Sequence, residues 1–213
     1  MTDLTDIRAL VRIDLQDEDA TAERWADATL DRHIQRALLE YSQISPLEQK
    51  TTLTATPDSR DISVSTLTPR IRIFAVEWPT GEFPRAWVPF SLWADIITLD
   101  VTSPPAAADD VDVLWHKTHS INGSKTYPAS HDTIIATGAA AYAALEWASF
   151  ASNRVNVGGE EVWGRYMDFA NVRLAEFEAS LRKLPAANTL RTSRLYTPQN
   201  TRLSSQTTDP GPG

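Results

Sequence analysis

The sequence contains no cysteine among its 213 residues and only eight glycines. Without cysteine, neither disulfide bonds nor thiolate metal sites can hold the chain together, which fits assembly in a reducing cytoplasm. No apolar run approaches the roughly 20 residues that a membrane-spanning helix needs. The chain begins Met1-Thr2-Asp3 and continues with further acids, which does not resemble a signal peptide. We therefore expect a soluble chain with no membrane partner.

The motifs that carry common enzyme chemistry are also missing from the sequence. There is no phosphate-binding glycine loop, no Gly-x-Ser-x-Gly elbow and no thiol nucleophile. Acid pairs such as Asp109-Asp110 and Glu160-Glu161 lie where turns or helix ends are expected, with no partner for acid–base work. We predict no catalytic residue and no cofactor, and hence a chain that is not an enzyme.

The four histidines supply the one candidate metal site. His33 lies in the middle of a predicted helix, where we expect a surface position. His116 and His119 are three residues apart, whereas two rings on one helix face need a spacing of four. Lys117 would also repel a cation. We predict ordinary loop histidines and no bound metal, and keep a metal-dependent hydrolase that uses His116, His119 and His131 as an alternative.

A net charge of −8 argues against a general nucleic-acid binder with a broad basic face. The charge is unevenly distributed, because residues 1–31 hold nine acids and three arginines. Residues 182–208 hold five basic residues and no acid. This asymmetry indicates that the two ends contact different partners or each other in neighbouring copies; the alternative is that both are solvated surfaces.

Hydrophobic periodicity predicts helices at both ends of the main body. Apolar residues recur at helical spacing over 4–15 and 27–44, with Pro46 just past the second stretch. The same spacing returns over 130–152 and 161–183, on either side of Gly158-Gly159. A run of small residues in 138–144 favours close helix packing, within the core or between subunits. The candidate residues for this packing are Gly138, Ala141, Tyr142 and Trp147.

Between the helical pairs the sequence is typical of β structure. Alternating or β-branched segments lie at 51–54, 62–65, 71–76, 87–90, 96–99 and 111–115, separated by turn signals such as Pro57-Asp58 and Trp93-Ala94-Asp95. The prediction is a mixed α+β fold, in which a bundle of about four helices carries an inserted small antiparallel β-sheet and an extended C-terminal arm. The expected divisions are a helical pair at 1–49, the β insertion at 50–127, a second helical pair at 128–185 that packs with the first, and the arm at 186–213.

The arm is rich in Thr, Ser, Asn, Pro and Gly and has too few apolar residues to build a core. We expect it to be disordered alone and to order on a partner, where spaced apolar anchors add to a sheet edge or lie in a groove. Extended, its 28 residues would span on the order of 90 Å. The predicted arm contacts are Leu190, Arg191, Arg194, Leu195, Tyr196, Arg202 and Leu203.

Three segments resemble the head–tail connector, or adaptor, proteins of tailed bacteriophages. They read IRALVRIDLQD at 7–17, LDRHIQRA at 30–37 and TGAAAYAALEW at 137–147, and with the last helix they cover about 90 of the 213 residues. The resemblance implies a ring of twelve copies that binds beneath the portal protein, extends the DNA channel and offers a platform for a downstream tail or stopper protein. Double-stranded DNA would pass through without sequence-specific binding.

The same resemblance implies a location at the head–tail interface of the virion, with synthesis in the host cytoplasm. The β insertion and the long tail depart from the compact form of that family. A tail-completion or tail-terminator protein, or another minor virion protein, is the closest alternative, since such proteins form rings of six and are richer in β structure. A DNA-binding regulator is disfavoured by the charge.

Overall fold

The computed structural model describes residues 3–106, 109–152 and 162–184, and the fold is mixed α+β, as predicted. Within these ranges there are four helices: α1 (Leu4–Leu15), α2 (Asp27–Ile44), α3 (Asp132–Ser152) and α4 (Val162–Lys183). A short 3₁₀ turn at Ala129–His131 leads into α3. The predicted arm at 186–213 lies outside the described residues.

The limits of α1 follow from its capping residues. The Asp3 side chain accepts hydrogen bonds from the backbone N–H groups of Thr5 and Asp6, and the Asp6 carboxylate accepts one from Asp3 in return. This capping box satisfies donors that have no partner inside the helix. Gln16 adopts a left-handed backbone with φ of 53° and ends the helix. The predicted span of 4–15 is confirmed.

Helix α3 is the centre of the helical body, and α1, α2 and α4 pack around it. Residues 138–144 are buried on every side, because small side chains let three helices approach one. The stretch Ala129–Ser152 is long and apolar enough to cross a membrane by length and composition, so the expectation that no run approaches that length is wrong. Most of it is buried within the chain, which is typical of the core helix of a globular body.

Six strands occupy the region between the helical pairs in the described residues. They are β1 (Leu47–Thr54), β2 (Asp61–Ser63), β3 (Arg70–Glu77), β4 (Phe90–Trp93), β5 (Ile96–Leu99) and β6 (Asp110–Lys117). They form two three-stranded antiparallel sheets, where one was predicted: sheet A has the order β1-β6-β3 and sheet B the order β2-β5-β4. Strand β1 begins at Leu47, three residues before the predicted start of the β region.

The predicted strand at 87–90 is displaced. Residue Trp87 forms only an isolated bridge with Glu77, and the strand of sheet B starts at Phe90 and runs through Trp93. Proline at position 89 cannot donate to a ladder, which explains why regular pairing starts after it. The other predicted strands agree with the structure to within a few residues.

The inner faces of the two sheets share one apolar core. Sheet B contributes Ile62, Ile97 and Leu99, and sheet A contributes Ile73, Val76, Val111, Val113 and Trp115. This core is separate from the one that the four helices enclose. Each part therefore has its own apolar centre, and the connections at 45–46 and 118–131 join them.

Candidate interaction surfaces

The hairpin formed by β4 and β5 ends in exposed apolar side chains. Trp93 is 86% exposed, Leu92 42% and Ile96 46%. Trp93 and Ile96 are cross-strand partners on either side of the two-residue turn Ala94-Asp95. Clusters of exposed large apolar side chains mark contact sites more often than scattered single ones do. Trp93 and Ile96 share one face of the hairpin, while Leu92 lies on the other face opposite buried Ile97. We refer to Leu92, Trp93 and Ile96 as the apolar tip.

The apolar tip is held by a rigid base. Arg70 donates to the Val64 carbonyl (2.9 Å), to the Ala94 carbonyl (3.3 Å) and to the Asp95 carboxylate (2.8 Å). The hairpin strand β5 is anchored by Ile97, which is fully buried in the core between the sheets. A tip fixed in this way loses little conformational freedom when it binds a partner.

A second partly apolar surface is a groove between the C-terminal end of α1 and the N-terminal end of α4. Asp14 and Leu15 line one side, and Val162, Tyr166 and Phe169 line the other, around a volume of about 410 Å³. Beside it, Arg173 bridges the helices by pairing with Asp14 at 3.2 Å.

The outer face of sheet A carries a polar cleft of about 440 Å³. Two buried carboxylates, Glu77 and Asp112, lie directly opposite each other on β3 and β6. Arg85 pairs with Glu77 at 2.9 Å, and Lys50 pairs with Asp112 at 2.5 Å. Each of the two buried carboxylates therefore has a cationic partner.

The electrostatics of the cleft are those of ion pairs. Burial alone would raise the pKa of Asp112, but hydrogen bonds from Lys50 and Thr52 outweigh it and hold the pKa below its ordinary value. Asp112 is thus an acceptor fixed in its charged form. A general acid would need the opposite shift, so the cleft fits a structural role better than acid–base chemistry.

The histidines of the alternative metal site do not converge. His116 lies on β6, where its Nδ1 accepts a hydrogen bond from Arg72 (3.0 Å) and its ring stacks on Phe74. His119 and His131 both pack against Tyr41, at the junction of the helical and β parts. Within residues 3–106, 109–152 and 162–184, no group of three or more metal-ligating side chains is placed to hold an ion.

His119 instead joins the two parts of the chain. Its Nε2 donates to the Ser45 carbonyl (2.9 Å), and its backbone N–H donates to the Ser42 hydroxyl (3.0 Å). Burial lowers the pKa of His119, which favours the neutral ring. His33 is buried rather than on the surface as expected, because α2 packs against α3, where the His33 Nε2 lies 2.6 Å from a Glu146 oxygen.

The predicted helix-packing residues lie inside the helical body. A Cβ built on Gly138 would come within 2.9–3.0 Å of the Phe177 ring of α4, so only glycine fits this contact without movement. Ala141 is fully buried. Tyr142 donates its hydroxyl to Glu40 (2.6 Å), and burial together with that bond raises its pKa. Packing within the chain accounts for the small-residue run, which favours the core alternative over a subunit interface.

Trp147 belongs to an aromatic cluster at one end of the helical body. Its ring packs edge-on against Trp25 and Tyr166, and the Arg24 guanidinium lies over all three rings at 5.1–5.6 Å. The Trp25 indole N–H also donates to the Ala143 carbonyl (3.3 Å). This cluster ties the loop before α2 to α3 and α4.

Arginines within the chain pair with several of the acids in residues 1–31. Arg8 makes a bidentate contact with Asp31 (2.9 Å for both bonds) and also pairs with Asp27 (2.6 Å). Buried Arg12 pairs with Asp17 at 2.8 Å and with Asp27 at 2.7 Å. Asp17, Asp27 and Asp31, three of the nine acids in residues 1–31, are thus held in ion pairs within the chain.

The arm residues Leu190, Arg191, Arg194, Leu195, Tyr196, Arg202 and Leu203 all lie outside the described residues. The surface that sequence reasoning missed is the apolar tip, where Trp93-Ala94-Asp95 was interpreted only as a turn. Apolar residues on both sides of a two-residue turn are the signal that could have indicated it. No protein-family model matches the chain, and no curated protein is significantly similar to it.

Proposed function

We propose that this chain is a structural head–tail connector of a tailed phage. In this proposal twelve copies form a ring that docks on the portal protein, extends the DNA channel and provides the attachment platform for a tail or stopper protein. The chain works by contact and catalyses no reaction. It acts at the head–tail interface of the virion after synthesis in the host cytoplasm.

The observation that carries the proposal is the apolar tip on a rigid base. Leu92, Trp93 and Ile96 are exposed on the chain alone, while Arg70 and the buried core hold the hairpin in place. Burying such side chains contributes roughly 1.5–3 kcal/mol each. A projecting element of this kind supports a role in joining neighbouring parts of an assembly.

The charge distribution supports passage of DNA without retention. The chain carries a net charge of −8, and tight DNA binding depends on cationic groups that neutralise phosphates and release counterions. An acidic channel wall lacks that driving force, so a duplex slides past it. The proposal therefore expects weak DNA binding by the purified protein.

The decisive experiment locates the chain in the phage particle. Electron cryo-microscopy of purified virions, with the chain identified by a fused tag, would show its position and the number of copies. Twelve copies beneath the portal support the proposal. Six copies at the end of the tail would instead indicate a tail-completion or terminator protein, and absence from virions would refute both.

A pair of surface variants tests the apolar tip directly. We expect Trp93→Ala to keep its fold, because exposed substitutions change stability by only about 0.5 kcal/mol, and to lose incorporation into particles. Val172→Ala, on α4, removes another apolar side chain that is 59% exposed and should assemble normally. If Trp93→Ala is incorporated into particles as well as the wild-type chain is, the main support for the proposal is lost.

A further inference from the structure

Strand β1 has a long and regular free edge. All eight of its residues pair with β6 without a register shift, and no strand of the described residues lies along its other side. The other outer strands are less suitable for pairing. Strands β2 and β4 have three and four residues, while β3 contains two register shifts and is partly covered by residues 86–88.

An edge of this kind is a template for another strand. Eight residues extend for roughly 26 Å, and alternate N–H and C=O groups point away from β6. Proteins usually protect such edges with bulges, prolines or inward-pointing charges. β1 contains no proline, and its one lysine, Lys50, is held across the sheet by Asp112.

We propose that β1 accepts residues 189–197 of another copy of the chain as a fourth strand of sheet A. This inference rests on the proposed ring, in which each copy would donate one strand and accept one. The segment reads TLRTSRLYT, nine residues without proline or glycine, between Pro185 and Pro198. Its threonines and tyrosine favour strands, and its length matches β1. The stretch 199–209 has a single apolar residue, Leu203, and is a poorer strand.

Charge complementarity favours a copy of this chain as the acceptor. Residues 185–213 hold three arginines and one acid, so of the net charge of −8 the remaining residues carry −10. Glu48 on the edge strand β1 is exposed, and so is Asp110 on the central strand β6, which lies on the same face opposite Thr54 at the other end of β1. Because side chains alternate along a strand, one of Arg191 and Arg194 in the added strand would lie on this acidic face and the other on the opposite face.

The length of the connection indicates a neighbour in direct contact. The described chain ends at Leu184, so residues 185–188 separate it from the proposed strand. Four extended residues span about 14 Å at most. A head-to-tail exchange over that distance is heterologous and closes into a ring when the rotation allows.

Engineered disulfides test the strand directly, because the chain has no cysteine of its own. Gln49→Cys or Thr54→Cys on β1 is combined with a single cysteine at each position from 190 to 196 in turn, in the purified full-length protein under mild oxidation. We expect cross-linked dimers and larger species at alternate tail positions only. The two β1 cysteines should select opposite sets, since they lie on opposite faces of the strand.

Proline variants in the tail give a second readout. Thr192→Pro removes a backbone donor from the middle of the proposed strand and should weaken self-association about tenfold or more, measured by sedimentation. Thr207→Pro, in the same tail but outside the strand, should change it less than about twofold.

Three results would each overturn the inference. The first is cross-linking that does not alternate between successive tail positions, and the second is cross-linking only within one chain. The third is an equal effect of the two proline variants on self-association. These outcomes are separable from the proposed function. A twelve-copy ring in virions without the cross-links would keep the connector and refute the strand exchange. Periodic cross-links in a protein absent from virions would do the reverse.

Discussion

Replacing Gly138 with alanine should destabilise the protein, although alanine is the better helix former. The substitution gains up to about 1 kcal/mol of helix propensity. The new methyl group, however, would lie 2.9 Å from Cε2 and 3.0 Å from Cδ2 and Cγ of Phe177. Phe177 is fully buried, so its ring can move only if its neighbours shift. Overpacking of this kind costs roughly 1–3 kcal/mol, so the net loss in the free energy of unfolding should be about 1 kcal/mol.

Gly164→Ala is the matched control on the neighbouring helix. A Cβ at Gly164 would have no atom within 4 Å, so the same substitution should gain up to about 1 kcal/mol. Urea unfolding followed by circular dichroism measures both, and the two variants should differ by about 2 kcal/mol with unchanged m values.

A double variant tests whether the cost arises at the Phe177 ring. Phe177→Leu should make Gly138→Ala less harmful, with a coupling of about 1 kcal/mol between the two sites. If Gly138→Ala is as stabilising as Gly164→Ala, or if the two substitutions are additive, the close contact between α3 and α4 does not limit stability and the reasoning fails.

Two further predictions concern buried charge. Burial lowers the pKa of His33, His116 and His119, so the unfolded chain binds more protons than the folded one below about pH 6.5. The free energy of unfolding should therefore fall as the pH drops from about 7 towards about 5. Thermal unfolding across that range measures this change, and a melting temperature that does not vary with pH would contradict the prediction. Asp17→Asn leaves Arg12 without its most buried partner, and hydrogen bonds to charged groups contribute about 1.5–3 kcal/mol. We expect a loss of about 2 kcal/mol in urea unfolding, and a loss under about 0.5 kcal/mol would show that the other partners of Arg12 suffice.

The positions of the secondary-structure elements could be predicted because their signals are local. The cap at Asp3, the apolar spacing of α1 and the alternation of β5 each involve residues a few positions apart. The predicted limits of α1 and β5 agree with the structure residue for residue. The predicted position of β4 was wrong for the opposite reason, since the effect of Pro89 on pairing depends on which neighbouring strand is present and is not a local signal.

The division of the β region into two sheets could not be predicted, because it depends on pairing between distant segments. β1 pairs with β6 across about 60 residues of sequence, and β2 pairs with β5 rather than with β3. Alternation shows that a segment is a strand but does not identify its partner. That choice is made by the apolar core between the sheets, to which all six strands contribute or pack.

By itself the sequence determined the α+β class, the four helices and the β insertion, because capping, periodicity and turn chemistry act over a few residues. Only the tertiary structure decided which side chains are covered. Trp93 ends β4 and Trp115 lies within β6, yet the first is 86% exposed and the second is buried. Likewise Gly138 became a close helix contact only because Phe177 lies opposite it. Exposure depends on what the rest of the chain places nearby, and that is a long-range property of the fold.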